Sequence, residues 1–255
     1  MASSLTVGLI SAGCVFGGAL LGLFLRGLLP EEHLRHNSKD TVKVSAGMIA
    51  TVSALVLGLL VASAKNTFDT TEAEMTQRGA KIMLLDRLLA DYGPETKAAR
   101  QQLRQTVAAM TEMPEETEGR TGASGTAAYE GMNGMEELQV TLCKLTPATD
   151  AERMLFATAH QKIVELRESR WLLIEQAQKI IPIPFLVVLL FWLTMLHISF
   201  GLLAPRNATA ITVLLISALS VSGAIFIVLE MTHPLRGTVK VSSAPMRKAL
   251  EHLGQ

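Results

Sequence analysis

The sequence predicts an all-α membrane protein, with four transmembrane helices in two hairpins and a helical cytoplasmic region between helices two and three. Two observations predict this class. Of 255 residues, 49% are hydrophobic and only 18% are charged, and mean hydropathy is positive. The apolar residues are also gathered into four almost uncharged stretches, Leu5–Leu25, Val44–Ala64, Ile183–Ala204 and Ala208–Leu229. Each is roughly 20 residues long, enough to cross about 30 Å of hydrocarbon as a helix. The formal net charge is zero, so the overall balance points to no nucleic-acid partner.

The first stretch is read as a retained span. "MASS" before it carries no Lys or Arg, and "LRGLLPEEH" after it is not a small-residue cleavage site, so a secretory signal does not fit. Cys14 in this span and Cys143 in the middle region are too few and too separate to argue for an oxidising compartment. The loop "RGLLPEEHLRHNSKDTVK" leads to the second span. Its His33 and His36, beside Glu31 and Glu32, read as a solvated turn, and no metal is expected. After the second span, Asn66–Asp91 places Phe68, Met75, Ile82, Leu85 and Leu89 at helical spacings. Gly93-Pro94 breaks the chain, and Pro94 opens the helix "PETKAARQQLRQTVAAM". "TEMPEETEGRTGASGTAA" lacks periodicity and reads as a loop. A short helix near Met135–Leu145 follows. A long one then starts after Thr149, with Thr149 and Glu152 as a capping box, and is expected to run into the third span with a bend at Pro182. The third and fourth spans are joined by the tight "APRN".

This organisation divides the chain into a first hairpin (1–64), a helical extramembrane region (65–179), a second hairpin (180–231) and a C-terminal tail helix (232–255). With four spans, both termini and the middle region share one side of the membrane. That side holds Lys65, Arg78, Lys81, Arg167, Arg170, Lys179, Arg236, Lys240, Arg247 and Lys248; the other holds Arg26, Arg35, Lys39, Lys43 and Arg206. The bias places the termini and middle region in the cytoplasm.

Small residues offer close helix packing, which matters where lipid removes most of the hydrophobic force between helices. The first span has Gly13–Gly17 and Gly18–Gly22. The second has Ala46, Ala50, Ala54, Gly58 and Ala62, and the fourth adds Ser217, Ser220 and Gly223. Two readings stand for these faces: packing within the four-helix unit, or contact with another subunit or a pore.

No catalytic motif is present: no HExxH, P-loop, GxSxG or zinc-type Cys/His spacing, so neither an enzyme nor a cofactor is expected. His197, past the middle of the third span, either hydrogen-bonds a neighbouring Ser or Thr or serves a pore. Glu230 reads as an interfacial carboxylate. Pro182 and Pro184 disfavour α geometry at Ile181 and Ile183. Either they mark a simple kink, or the kink lines an aqueous passage in which Ile181, Ile183 and Phe185 form a dewetting constriction.

Four long segments, "LPEEHLRHNSKDTVKVSAGMIATVSALVLGLLVASAK", "LLDRLLADYGP", "RWLLIEQAQKIIPIPFLVVLLFWLTMLHISFGLLAPRNAT" and "ALSVSGAIFIVLEMTHPLRGTVKVSSAPMRKAL", together resemble the bestrophin-like domain family of largely bacterial membrane proteins. The resemblance implies four spans and a helical cytoplasmic region in a bacterial inner membrane. "IPIPF" followed by "SFG" is also similar to the segment with which bestrophins, which are pentameric anion channels, enter a span. That likeness implies a constriction at Ile181, Pro182, Ile183, Pro184 and Phe185. No acidic run follows the last span as a bestrophin calcium site would require, and the Glu112–Glu118 cluster lies in the loop. The expected function is thus an oligomeric ion channel, anion-conducting and pentameric by analogy, whose partners are the bilayer, further copies of the chain and inorganic ions. The alternative is a membrane-anchored scaffold or sensor whose cytoplasmic helices bind a partner.

Overall fold

A computed structural model of the chain describes residues 4–28, 36–111, 134–176, 183–232, 234 and 239–254. Among the described residues the only regular structure is helical: α1 (Ser4–Leu28), α2 (His36–Tyr92), α3 (Lys97–Thr111), α4 (134–143), α5 (Asp150–Gln176), α6 (Ile183–Leu203), α7 (Ala208–Met231) and α8 (Ala244–His252). Four of these are long and apolar enough to cross a membrane: α1, α2 from Lys39 onward, α6 from Pro184 onward, and α7. Each coincides with one of the four apolar stretches.

The second span and the helix after it are one element. Between Gly58 and Gly79 the chain has no Gly or Pro, so nothing stops the helix where polarity changes at Lys65, and α2 continues for 57 residues. The chain gathers into two compact units. Unit 1 comprises Met1–Phe68 with Lys179–Lys240, and unit 2 comprises Asp69–Gln178 with Val241–Gln255.

In unit 1, α1 runs alongside α6 in the same direction, with Gly18 opposite Thr194 and Gly22 opposite Ile198. It runs against α7, because Gly8 meets Phe226 while Ala19 shares a cluster with Leu214. Val15, Leu189, Leu193, Ala218 and Ile225 fill the space between these helices, and Val56, Leu57 and Leu60 of α2 pack on them. The turn from α6 to α7 is closed by Asn207, an extended residue whose Oδ1 accepts the Ala210 N–H at 2.8 Å. Asn is among the side chains best suited to that N-cap.

In unit 2, five helical segments contribute to one core: Ile82, Leu85 and Leu89 from α2; Ala99, Leu103 and Val107 from α3; Met135, Leu138 and Leu142 from α4; Ala159, Ile163 and Leu166 from α5; Met246 and Ala249 from α8, with Leu253 just past its end. The Gly93-Pro94 break is real. Gly93 has φ 134 and ψ −175, a region essentially restricted to glycine. Pro94 begins a single 3-10 turn, Pro94–Thr96, and the buried Thr96 hydroxyl donates to the carbonyls of Gly93 and Leu89. The capping box also forms: Glu152 N–H donates to Thr149 Oγ1 at 3.2 Å, and Glu152 Oε2 accepts from the amides of Thr149 and Ala148. The expected continuation of α5 through the bend at Pro182 lies outside the described residues.

Candidate functional site

Of the residues nominated for a constriction, Ile181 and Pro182 lie outside the described residues. α6 opens at Ile183, which places Pro184 in its first turn, where the missing N–H breaks no helical hydrogen bond. Pro184 and Phe185 are both exposed in the protomer, and Phe185 retains 58% of its accessible surface.

His197 sits elsewhere. It is buried between α6 and α7, with its ring edge toward Phe200 at 5.9 Å. Nδ1 lies 2.8 Å from the Leu193 carbonyl and Nε2 lies 3.3 Å from Ser217 Oγ. A carbonyl only accepts, so Nδ1 carries the proton, and the neutral ring then accepts the Ser217 O–H at Nε2. Both ring nitrogens are satisfied without charge. Two other hydroxyls buried in the spans, those of Ser53 on α2 and Ser222 on α7, have no hydrogen-bond partner among the described residues. Ser11 on α1 donates to its own helix at Val7.

The nominated small residues separate into covered and open positions. Gly18 and Gly22 are buried against α6. A Cβ added at Gly18 would stand 2.9 Å from Thr194 Cγ2, and one at Gly22 would collide with the Ile198 carbonyl and Gly201 Cα. Gly201, noted in the sequence only as part of "SFG" and not as a packing residue, has the reciprocal role: its own added Cβ would strike Ala19 and Leu23. Gly13 and Gly17 face open space. On α2, Ala46 is buried and Ala50 half-buried, whereas Ala54, Gly58 and Ala62 are exposed. The covered side of α2 in unit 1 passes instead through Ser53, Val56, Leu57, Leu60 and Ala64.

Two arginines at the α6–α7 turn carry the strongest charge geometry of unit 1. Arg26, in the last turn of α1, donates Nη1 to the Ala204 carbonyl. Arg206, in the turn, donates Nε and Nη2 to Leu23 O at 3.3 and 3.0 Å, and Nη2 to Phe24 O at 3.3 Å. Arg26 thus caps a carbonyl just past the end of α6, and Arg206 adds donors to carbonyls near the C-terminal end of α1, where the helix dipole is negative. Gly27 makes room for this, because a Cβ there would fall on the Arg206 guanidinium. The signal in the sequence was the placement of these arginines at a span end and in a four-residue turn; their mutual capping depends on which helices are neighbours.

Unit 2 has its own charged contacts. Arg100 makes a two-pronged pair with the buried Asp86 at 2.8 and 2.8 Å, and that hydrogen bonding holds its guanidinium above its ordinary pKa. Asp86 Oδ2 also accepts the Gly254 N–H at 3.2 Å. Glu165 is held below the usual carboxylate range by the hydrogen bond from Lys162 and, after burial's opposing effect, by Lys81. These contacts join α2 to α3, α5 and the C-terminal segment, and they read as structural. Among the described residues no three His, Cys, Asp or Glu side chains gather as a metal ion would need. The Glu112–Glu118 cluster and His33 lie outside the described residues.

No curated protein and no solved structure matches the chain. A family model described as the Bestrophin-like domain matches residues 13–246, nearly the whole chain, taking in three of the span-forming helices whole and α1 from Gly13 onward. The protein is therefore a multi-pass, all-α membrane protein that belongs to the bestrophin-like domain family.

Proposed function

We propose that copies of this chain assemble around an axis in a bacterial inner membrane and conduct inorganic ions between them, with the entrance of α6 as the constriction. The observation that carries the reading is the exposure of Phe185 beside Pro184 at the mouth of a span. A bulky apolar ring there is available to narrow a passage, and a ring of such side chains gates ions by dewetting. Val15, Leu189, Leu193, Ala218 and Ile225 fill the space between α1, α6 and α7, which favours a route between copies over one through a single copy. The exposed Ala54, Gly58 and Ala62 of α2 suit close approach of a neighbouring helix. Anion selectivity and five copies follow from the likeness to bestrophins, and a cytoplasmic position for the middle region and both termini follows from the distribution of Lys and Arg.

The test is reconstitution of the purified chain into planar bilayers, with subunit number read by native mass spectrometry. A ring of defined stoichiometry and discrete unitary currents are expected, and Phe185→Ala should raise the unitary conductance while leaving the subunit number unchanged. A monomer or dimer, or bilayers that stay silent, would overturn the proposal. The scaffold or sensor reading is favoured by unit 2, whose five-part hydrophobic core gives it an independently packed body. Deleting Glu112–Ala128 should then abolish a partner recovered with the full chain while leaving membrane insertion intact.

A further inference from the structure

We propose that Arg26 and Arg206 form a binding site for the phosphate of an anionic phospholipid at the end of unit 1 where α1 and α6 terminate. Two guanidiniums carry two positive charges, and the C-terminal ends of α1 and α6 which they cap offset about half a charge each. Counted over the described residues, about one positive charge therefore remains, and neither arginine pairs with a carboxylate among them. Donors also remain. The capping bonds use Nη1 of Arg26 and Nε and Nη2 of Arg206, which leaves Nε and Nη2 of the first and Nη1 of the second for an oxygen ligand. Planar guanidiniums held in place by backbone carbonyls lose little freedom on meeting a phosphate, which they bind through paired N–H donors.

The surroundings select a lipid as the source of that phosphate. Both arginines stand at the end of membrane-spanning helices, the depth at which headgroups lie. In the last two turns of α1, Phe24 and Leu28 leave 62% and 66% of their surfaces open, apolar surface on which an acyl chain can lie below its own headgroup. A net positive site favours an anionic headgroup over a zwitterionic one.

The experiment uses the full chain in mild non-ionic detergent, titrated with phosphatidylglycerol or phosphatidylcholine of the same acyl chains, with bound lipid counted by native mass spectrometry. Phosphatidylglycerol should bind more tightly, and Arg26→Gln or Arg206→Gln should each weaken it about fivefold. Leu28→Asp keeps both capping arginines and adds a negative charge to the same last turn of α1; it should weaken phosphatidylglycerol and leave phosphatidylcholine unchanged, which keeps the test decisive if a Gln variant does not fold. Equal binding of the two lipids, or undiminished phosphatidylglycerol binding in the Leu28→Asp chain, would overturn the proposal. So would displacement of the lipid by inorganic phosphate at matched concentration, since the site would then serve the free ion.

Discussion

Gly18 and Gly22 touch α6 while Gly13 and Gly17 face open space, although the two pairs look alike in the sequence. The difference is angular. Gly13 and Gly18 are five residues apart, about 500° of helix, so the pairs point roughly 140° away from each other and cannot both meet one neighbour. Which pair is covered depends on where α6 lies, and the periodicity of α1 alone does not contain that. Opposed consequences follow. Gly22→Ala forces its methyl group onto the Ile198 carbonyl and Gly201, backbone atoms that cannot swing aside, and should cost about 1–3 kcal/mol. Gly17→Ala meets nothing and should be neutral or stabilising by up to about 1 kcal/mol through helix propensity. Thermal unfolding of the two variants in the same detergent checks the pair, and equal midpoints would show that α1 does not approach α6 as closely as described. His197 illustrates the same limit on sequence reading. Its polarity was visible, but only the neighbouring α7 shows that Ser217 satisfies it.

At the scale of the element, punctuation was legible because it is written in local chemistry. Gly93-Pro94 ends one helix and starts the next through one residue's φ and one missing donor, and Thr149 and Glu152 start α5 through reciprocal side-chain to backbone bonds. The continuity of α2 was less visible, because a change from apolar to polar residues looks like a boundary although the backbone needs no break there. The cap of α5 yields a prediction with a definite sign. The Glu152 carboxyl sits below the usual carboxylate range, chiefly because its ionised form accepts the Ala148 N–H and then that of Thr149. A carboxyl depressed in the folded state stabilises the cap above its unfolded pKa, and that contribution is lost as pH falls through the folded value. Amide exchange at Ala148 and Thr149, corrected for its intrinsic pH dependence, should show protection at neutral pH that disappears in acid. Thr149→Ala removes the other half of the box and should speed exchange at Glu152 about fivefold, the equivalent of about 1 kcal/mol. Protection that survives acid would remove the carboxylate from the cap.

For the whole molecule, four spans were readable from composition, because crossing hydrocarbon demands length and apolarity and little else. The membership of unit 2 was not. Its last helix lies at the far end of the sequence, in a polar tail whose Met246, Ala249 and Leu253 look unremarkable until they are seen in the same core as Leu103 and Leu138. The chain reaches that core by leaving unit 1 after Lys240, so unit 2 is built from two separate segments. Truncation after Lys240 isolates this dependence. It removes three buried side chains, which together contribute about 4 kcal/mol of burial, from a core whose net stability is of the same order as that of small domains, about 5–15 kcal/mol. It also removes the Gly254 N–H that Asp86 accepts and the segment at Pro245 that closes on Gly79. Hydrogen exchange of the truncated chain in detergent should therefore show strong loss of protection in α3 and α4, while amides of α1 and α6, which belong to unit 1, keep theirs. If α3 stays protected, α8 contributes surface rather than core; if α1 and α6 open along with α3, the two units do not fold as separate bodies.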